Sequence, residues 1–122
     1  MTIQETVAAQ RRYFHTGTTL PVAFRLEMLR RLRGAVKRHE TDIARALTAD
    51  LGKSAYEGFM CEIGLTLTEL TWTLKHTRSL AREHTVHTPL AQFAARSYQK
   101  PSPYGVTLIM SPWNYPFLLT ID

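Results

Sequence analysis

The sequence predicts a mainly α chain that runs into the edge of an α/β architecture, and three observations carry that expectation. Apolar residues recur at helical spacing through most of residues 1–83, while the stretch after His84 lacks a continuous apolar face and reads as a half-polar β-hairpin. Then Val106-Thr107-Leu108-Ile109-Met110 reads as one core strand, apolar on both of its alternating faces. That pattern belongs to a strand covered on both sides, as in a parallel sheet. Such a strand needs hydrogen-bonded neighbours for its own N–H and C=O groups, and nothing downstream in these residues supplies them.

Taken in order, Ile3, Val7 and Phe14 mark a short amphipathic helix, with Thr2 placed to cap it and Arg11 and Arg12 near its end, before Thr16-Gly17. Pro21 fits the first turn of a second helix, where its missing N–H leaves no bond unmade. Leu26, Leu29, Val36, Ile43 and Leu47 extend the apolar face to Leu51-Gly52, with a break expected around residues 39–41, where Thr41 caps a new start. Gly52 is the C-terminal stop.

Ser54 followed by Glu57 has the spacing of a capping box, so a third helix is expected to start there. Its stripe of Met60, Ile63, Leu67, Leu70 and Leu74 runs toward Arg82. Beyond His84, residues 85–88 with Pro89 and then residues 95–100 form two extended arms, and Pro101-Ser102-Pro103-Tyr104-Gly105 is the turn that separates them from the strand. A half-polar hairpin of this kind is marginal alone and normally lies on another sheet or subunit.

Bulk composition narrows the function classes. The chain has 122 residues, 44% of them hydrophobic and 20% charged, which is ordinary globular usage. One domain of this size buries roughly two thirds of its extended surface. The net charge is +5, and part of the excess is local, with Arg25, Arg30, Arg31, Arg33, Lys37 and Arg38 crowded on one helical segment. Without interleaved aromatic residues or a recognition motif, this reads as a solvated helix face and not as a nucleic-acid surface. A single cysteine excludes an internal disulfide framework and fits a reducing compartment. The start of the chain has no secretory h-region, and no run of about 18 apolar residues occurs, so no membrane span and a cytoplasmic location are expected.

The segment Pro103-Tyr104-Gly105-Val106, the strand, and Ser111-Pro112-Trp113-Asn114-Tyr115-Pro116-Phe117 together resemble the amino-terminal region of aldehyde dehydrogenases. The tyrosine after the asparagine leans toward their class 3-like branch. Tyr13-Phe14-His15-Thr16-Gly17, the Arg25-Leu26 helix and Asp50-Leu51-Gly52-Lys53-Ser54 ahead of Tyr56-Glu57 agree, so the resemblance covers nearly the whole chain. It implies an α/β parent with a doubly wound sheet. In that frame residues 1–83 are a helical segment and residues 84–103 a protruding hairpin of the oligomerisation type. Residues 104–122 are the first strand of a cofactor-binding domain and the start of the next helix, cut short.

The resemblance also implies chemistry: oxidation of an aldehyde to a carboxylic acid with NAD or NADP through a thiohemiacetal on a cysteine. When a thiolate attacks the carbonyl, its oxygen becomes an oxyanion that a positioned amide N–H stabilises without proton transfer. Asn114 is the implied donor. Met110, Ser111 and Trp113 are implied to border the nicotinamide, and Tyr115 to line the aldehyde passage. The position agrees with the rule that ligands of open α/β sheets bind beyond the carboxyl ends of strands.

The family's nucleophilic cysteine, its general-base glutamate and most of its cofactor-binding residues lie beyond the part of the family that this sequence matches. Cys61 does not replace the nucleophile: it sits mid-helix beside Met60 and Ile63 with no base at hand, as a small packing residue does. By this reading residues 1–122 alone bind no cofactor and oxidise no aldehyde, and the unpaired strand and hairpin edges favour self-association. The alternative from a different class is a noncatalytic helical module that associates through the same hairpin and strand. A zinc site from Cys61, His76, His84 and His87 is disfavoured by spacing, and no metal is expected.

Overall fold

A computed structural model describes residues 2–122. Helix α1 (Ile3–His15) begins in a full capping box: Thr2 Oγ1 accepts from the Glu5 amide at 3.2 Å, and Glu5 Oε2 accepts from the Thr2 amide at 2.7 Å. Phe14, near its end, lies under Gly105, so the first helix already touches the segment that leads to the proposed strand.

Helix α2 (Val22–Arg38) has Pro21 at its N-cap, one residue before the helical turn in which the sequence placed it. Its break from α3 (Glu40–Leu51) falls at His39 and not at Thr41, since the His39 carbonyl already accepts from the Ile43 amide at 2.9 Å. Glu40 and Asp42 then occupy the first turn, where negative charge suits the helix dipole. On the outer face of α2, Arg31 pairs with Glu27 at 2.9 Å, as expected of a solvated basic helix.

Helix α3 ends at Gly52 with φ +68, the left-handed conformation that closes a helix. No atom would meet a Cβ there within 4 Å, so only backbone strain opposes a side chain. Gly52→Ala is expected to lower stability by about 1–2 kcal/mol, read from urea unfolding.

The third predicted helix is three joined pieces: α4 (Ala55–Gly58), a π-helical turn (Phe59–Ile63) and α5 (Gly64–Leu80). Ser54 caps it by accepting from the Glu57 amide at 3.1 Å. The π turn widens the helix by a residue and turns the apolar stripe around its axis. Ile63 and Leu70 are buried and Leu67 packs against them, but Met60, placed in the same stripe by spacing, is 50% exposed. The inward position is taken by Glu62, which is fully buried.

The core consists of Val36, Leu47, Ile63 and Leu70, where α2, α3, the π turn and α5 meet. Phe117 and Ile121 pack onto it from the other end of the chain, Ile121 within the short helix α6 (Leu118–Ile121). Next to it, partial burial raises the Asp122 carboxyl above the usual carboxylate range, and the charge of Glu69 adds to the effect.

The hairpin forms. Strands β1 (His84–Val86) and β2 (Ser97–Gln99) pair antiparallel, with Thr85 opposite Tyr98, and Arg96 ties their loop by donating to Glu83 at 3.0 Å and Thr85 at 3.1 Å. The core strand does not form. Residues 106–110 adopt no β-structure, and Leu108, Ile109 and Met110 are 82%, 62% and 83% exposed. The physical reason is the missing ladder: among the described residues no second strand lies beside them, and an extended segment without one remains irregular.

Candidate active-site loop

Residues 111–117 form a loop that folds on itself and docks onto the helical segment. Ser111 Oγ donates to the Pro116 carbonyl at 3.2 Å, the same carbonyl accepts from Thr120 Oγ1, and the Leu119 amide donates to the Tyr115 carbonyl at 3.1 Å. Two prolines restrict the backbone around these bonds. Phe117 anchors the loop's far end in the core.

What fastens the loop is a buried ion pair that sequence reasoning missed. Lys53 follows the Gly52 stop and Glu62 sits in the π turn; their Nζ and Oε1 atoms are 2.5 Å apart, with Lys53 8% exposed and Glu62 fully buried. Each partner also reaches the loop. Lys53 Nζ donates to the Asn114 carbonyl at 2.8 Å and lies 4.2 Å from the centroid of the Tyr115 ring. Glu62 Oε2 accepts from the amides of Phe117 at 2.8 Å and Leu118 at 3.3 Å. The ammonium therefore meets a carboxylate, a carbonyl and an aromatic face, and both carboxylate oxygens are used, which is how buried charges become tolerable.

A signal for this pair was present in the sequence. Glu62 is the one charged residue in the window Phe59-Met60-Cys61-Glu62-Ile63-Gly64-Leu65, and a charge among apolar neighbours on a helix either faces water or requires a buried partner. In a regular helix, without a π turn, position 62 would face away from the stripe of Ile63, Leu67 and Leu70.

The residues marked by resemblance fall on this one loop and its approach. Met110 and Trp113 are 83% and 86% exposed, Ser111 and Asn114 are exposed, and Tyr115 is 38% exposed under the Lys53 ammonium. For Asn114 the backbone carbonyl is held while the side chain projects free: among the described residues no hydrogen bond engages its carboxamide. Cys61 is half-buried in the π turn. His76 stacks on Trp72 at 4.2 Å and its Nδ1 lies 2.7 Å from the Trp72 carbonyl, and among the described residues no three His, Cys, Asp or Glu side chains come together as a metal site would require.

Comparison with known proteins places this arrangement. A sequence profile described as "Aldehyde dehydrogenase family" matches residues 1–122. The chain is 41% identical over 110 residues to 4,4'-diaponeurosporen-aldehyde dehydrogenase of Staphylococcus aureus, covering 90% of this chain and 24% of that protein. It is 39% identical over 121 residues to "Aldehyde dehydrogenase, dimeric NADP-preferring" of Canis lupus familiaris, covering 98% of this chain and 26% of that protein. Proteins named aldehyde dehydrogenase family 3, from Rattus norvegicus and Arabidopsis thaliana, match over the same region at 35% identity. In structure, it superposes on a solved chain titled "Substrate bound state of Staphylococcus Aureus AldH" with a TM-score of 0.93 and 39% identity, over 99% of this chain and 27% of that one. The chain thus spans about a quarter of the length of the relatives it matches. On sequence and fold alike, the chain belongs to the aldehyde dehydrogenase family, on its class 3-like branch, as an amino-terminal segment.

Proposed function

We propose that the chain is the amino-terminal segment of an NAD(P)-dependent enzyme that oxidises an aldehyde to a carboxylic acid through a cysteine thiohemiacetal, and that its own contribution is the oxyanion donor Asn114. The observation that carries this reading is the split in how Asn114 is held: the carbonyl is fixed by Lys53, and the carboxamide is left exposed and unengaged. That is the arrangement an oxyanion donor needs, a rigid backbone beneath a side chain with no competing partner.

The step it serves is attack of a thiolate on the aldehyde carbon. As the carbon–sulfur bond forms, the carbonyl π electrons move to oxygen, and an Asn114 N–H faces the negative charge there. When the carbonyl reforms, the carbon–hydrogen bond breaks with its electron pair leaving as hydride. A bound nicotinamide would supply the acceptor for that hydride. Met110 and Trp113 offer exposed apolar surface and Ser111 an adjacent hydroxyl, a set that suits the flat face and polar edge of such a ring. Tyr115 borders the aldehyde side of the loop. The nucleophile, the general base and most of the cofactor pocket belong to the rest of the enzyme, and so does the choice of aldehyde.

The full-length protein that carries this segment is expected to form NADH or NADPH steadily with an aldehyde, and the 122-residue chain alone to form none, followed by absorbance of the reduced nicotinamide. An inactive full-length protein, or turnover by the short chain, contradicts the proposal. The exposed Leu108 and Met110 and the edges of the β1–β2 hairpin support self-association of the isolated chain. Light scattering at micromolar concentration is expected to report a species larger than a monomer, and a clean monomer would count against that surface. Among the described residues no helix is long and apolar enough to cross a membrane, and a cytoplasmic setting is part of the proposal.

A further inference from the structure

We infer that Lys53 and Glu62 are positioning residues for the reaction: together they set the backbone from which Asn114 presents its carboxamide. The inference rests on the proposed role of Asn114 and deepens it. Three geometric facts support it. The Lys53–Glu62 pair is buried, so neither charge exchanges its partner for water. Lys53 grips the loop at the Asn114 carbonyl itself, in the same residue whose side chain faces outward. Glu62 grips it three residues later, at the amides of Phe117 and Leu118, so the intervening Tyr115 and Pro116 are clamped between two fixed points.

The clamp also explains why a charged pair occupies the place where α3, the π turn and the loop meet. An apolar pair would fill the same volume, but it would offer nothing to the carbonyl of Asn114 or to the two amides. Misplacing a reacting group by about 1 Å costs on the order of 100-fold in rate, so a small drift of this loop reaches the chemistry even when the fold survives. The π turn belongs to the same device, because it turns Glu62 inward at the level of the loop.

The test uses the full-length enzyme and compares Asn114→Ala, Glu62→Gln and the volume-conserving double change Lys53→Met with Glu62→Leu. The double change removes both charges together and is expected to fold, as paired replacement of buried ions by apolar residues does. It is expected to lower kcat by about 10- to 100-fold, with KM for aldehyde and cofactor changed less than about threefold. Added to Asn114→Ala it is expected to cause little further loss, because a loop without its donor has nothing left to position.

Glu62→Gln keeps the shape but turns an NH2 toward either the ammonium or the two amides, and is expected to give the same kcat-selective loss. A folded double variant or a folded Glu62→Gln enzyme with wild-type kcat overturns the inference, as does full additivity with Asn114→Ala. If Asn114→Ala itself keeps wild-type kcat, the donor role falls and the positioning role with it. If Asn114→Ala is slow while the clamp variants are not, only the positioning role is lost.

Discussion

Lys53→Met alone is expected to destabilise the protein by about 3–5 kcal/mol, because it strands a fully buried carboxylate. Glu62 would lose the partner at 2.5 Å and keep only the Phe117 and Leu118 amides, too few donors for an ion at 0% exposure. Glu62→Leu alone is expected to cost a similar amount, by stranding an ammonium whose remaining contacts are one carbonyl and one ring. The double change is expected to recover most of that loss. Urea unfolding of the four proteins, followed by circular dichroism, gives the cycle directly. A single change that leaves the midpoint in place would mean that water reaches the pair and that the charges are not confined as the structure has them. The comparison also separates stability from rate, since recovery of the fold in the double variant leaves the loop unclamped.

The second large effect concerns chemistry. Asn114→Ala in the full-length enzyme is expected to lower kcat by about 10²–10³, the usual consequence of removing one donor from an oxyanion site. KM is expected to move much less, since the interaction strengthens only as charge builds on oxygen. The fold is expected to be unaffected: the carboxamide makes no hydrogen bond among the described residues, and the bond to Lys53 uses the backbone carbonyl that alanine retains. Asn114→Asp is expected to be slower still, because a carboxylate repels the oxyanion that an amide N–H would stabilise. Rates are read from formation of reduced nicotinamide at saturating aldehyde.

The helical segment was legible because its signals are local. Thr2 as a cap, Ser54 as a cap and Gly52 as a stop each act within a few residues, and the structure uses all three, although the full capping box forms at Thr2 with Glu5 while at Ser54 only the bond from the Glu57 amide is made. Small displacements, at Pro21 and at His39 in place of Thr41, come from which backbone carbonyl accepts first, a matter that residue type does not settle. The apolar stripe failed at Met60 because a π turn changes the angular step, and helical spacing assumes a constant one. Residues 106–110 have the composition of a buried strand, but a strand is a relation between segments, and its partner is not among the described residues.

The candidate site divides in the same way. Residues 110–115 stood out as a contiguous motif, and the structure carries them on one loop with its approach. Lys53 and Glu62 did not, because they are nine residues apart from each other and 61 and 55 from the loop atoms they bind. A charge in an apolar helical window announces that a partner is needed without saying where the partner is. The fold supplies that, by bringing the end of α3 and the π turn against the same loop.

The most direct test is a structure of the full-length enzyme with an aldehyde-derived adduct on its nucleophile. The account predicts an Asn114 carboxamide nitrogen about 2.7–3.1 Å from the former aldehyde oxygen, with Lys53 still on the Asn114 carbonyl and Glu62 still on the amides of Phe117 and Leu118. A carboxamide turned away from that oxygen into protein contacts of its own, with the loop released from Lys53 and Glu62, would contradict it.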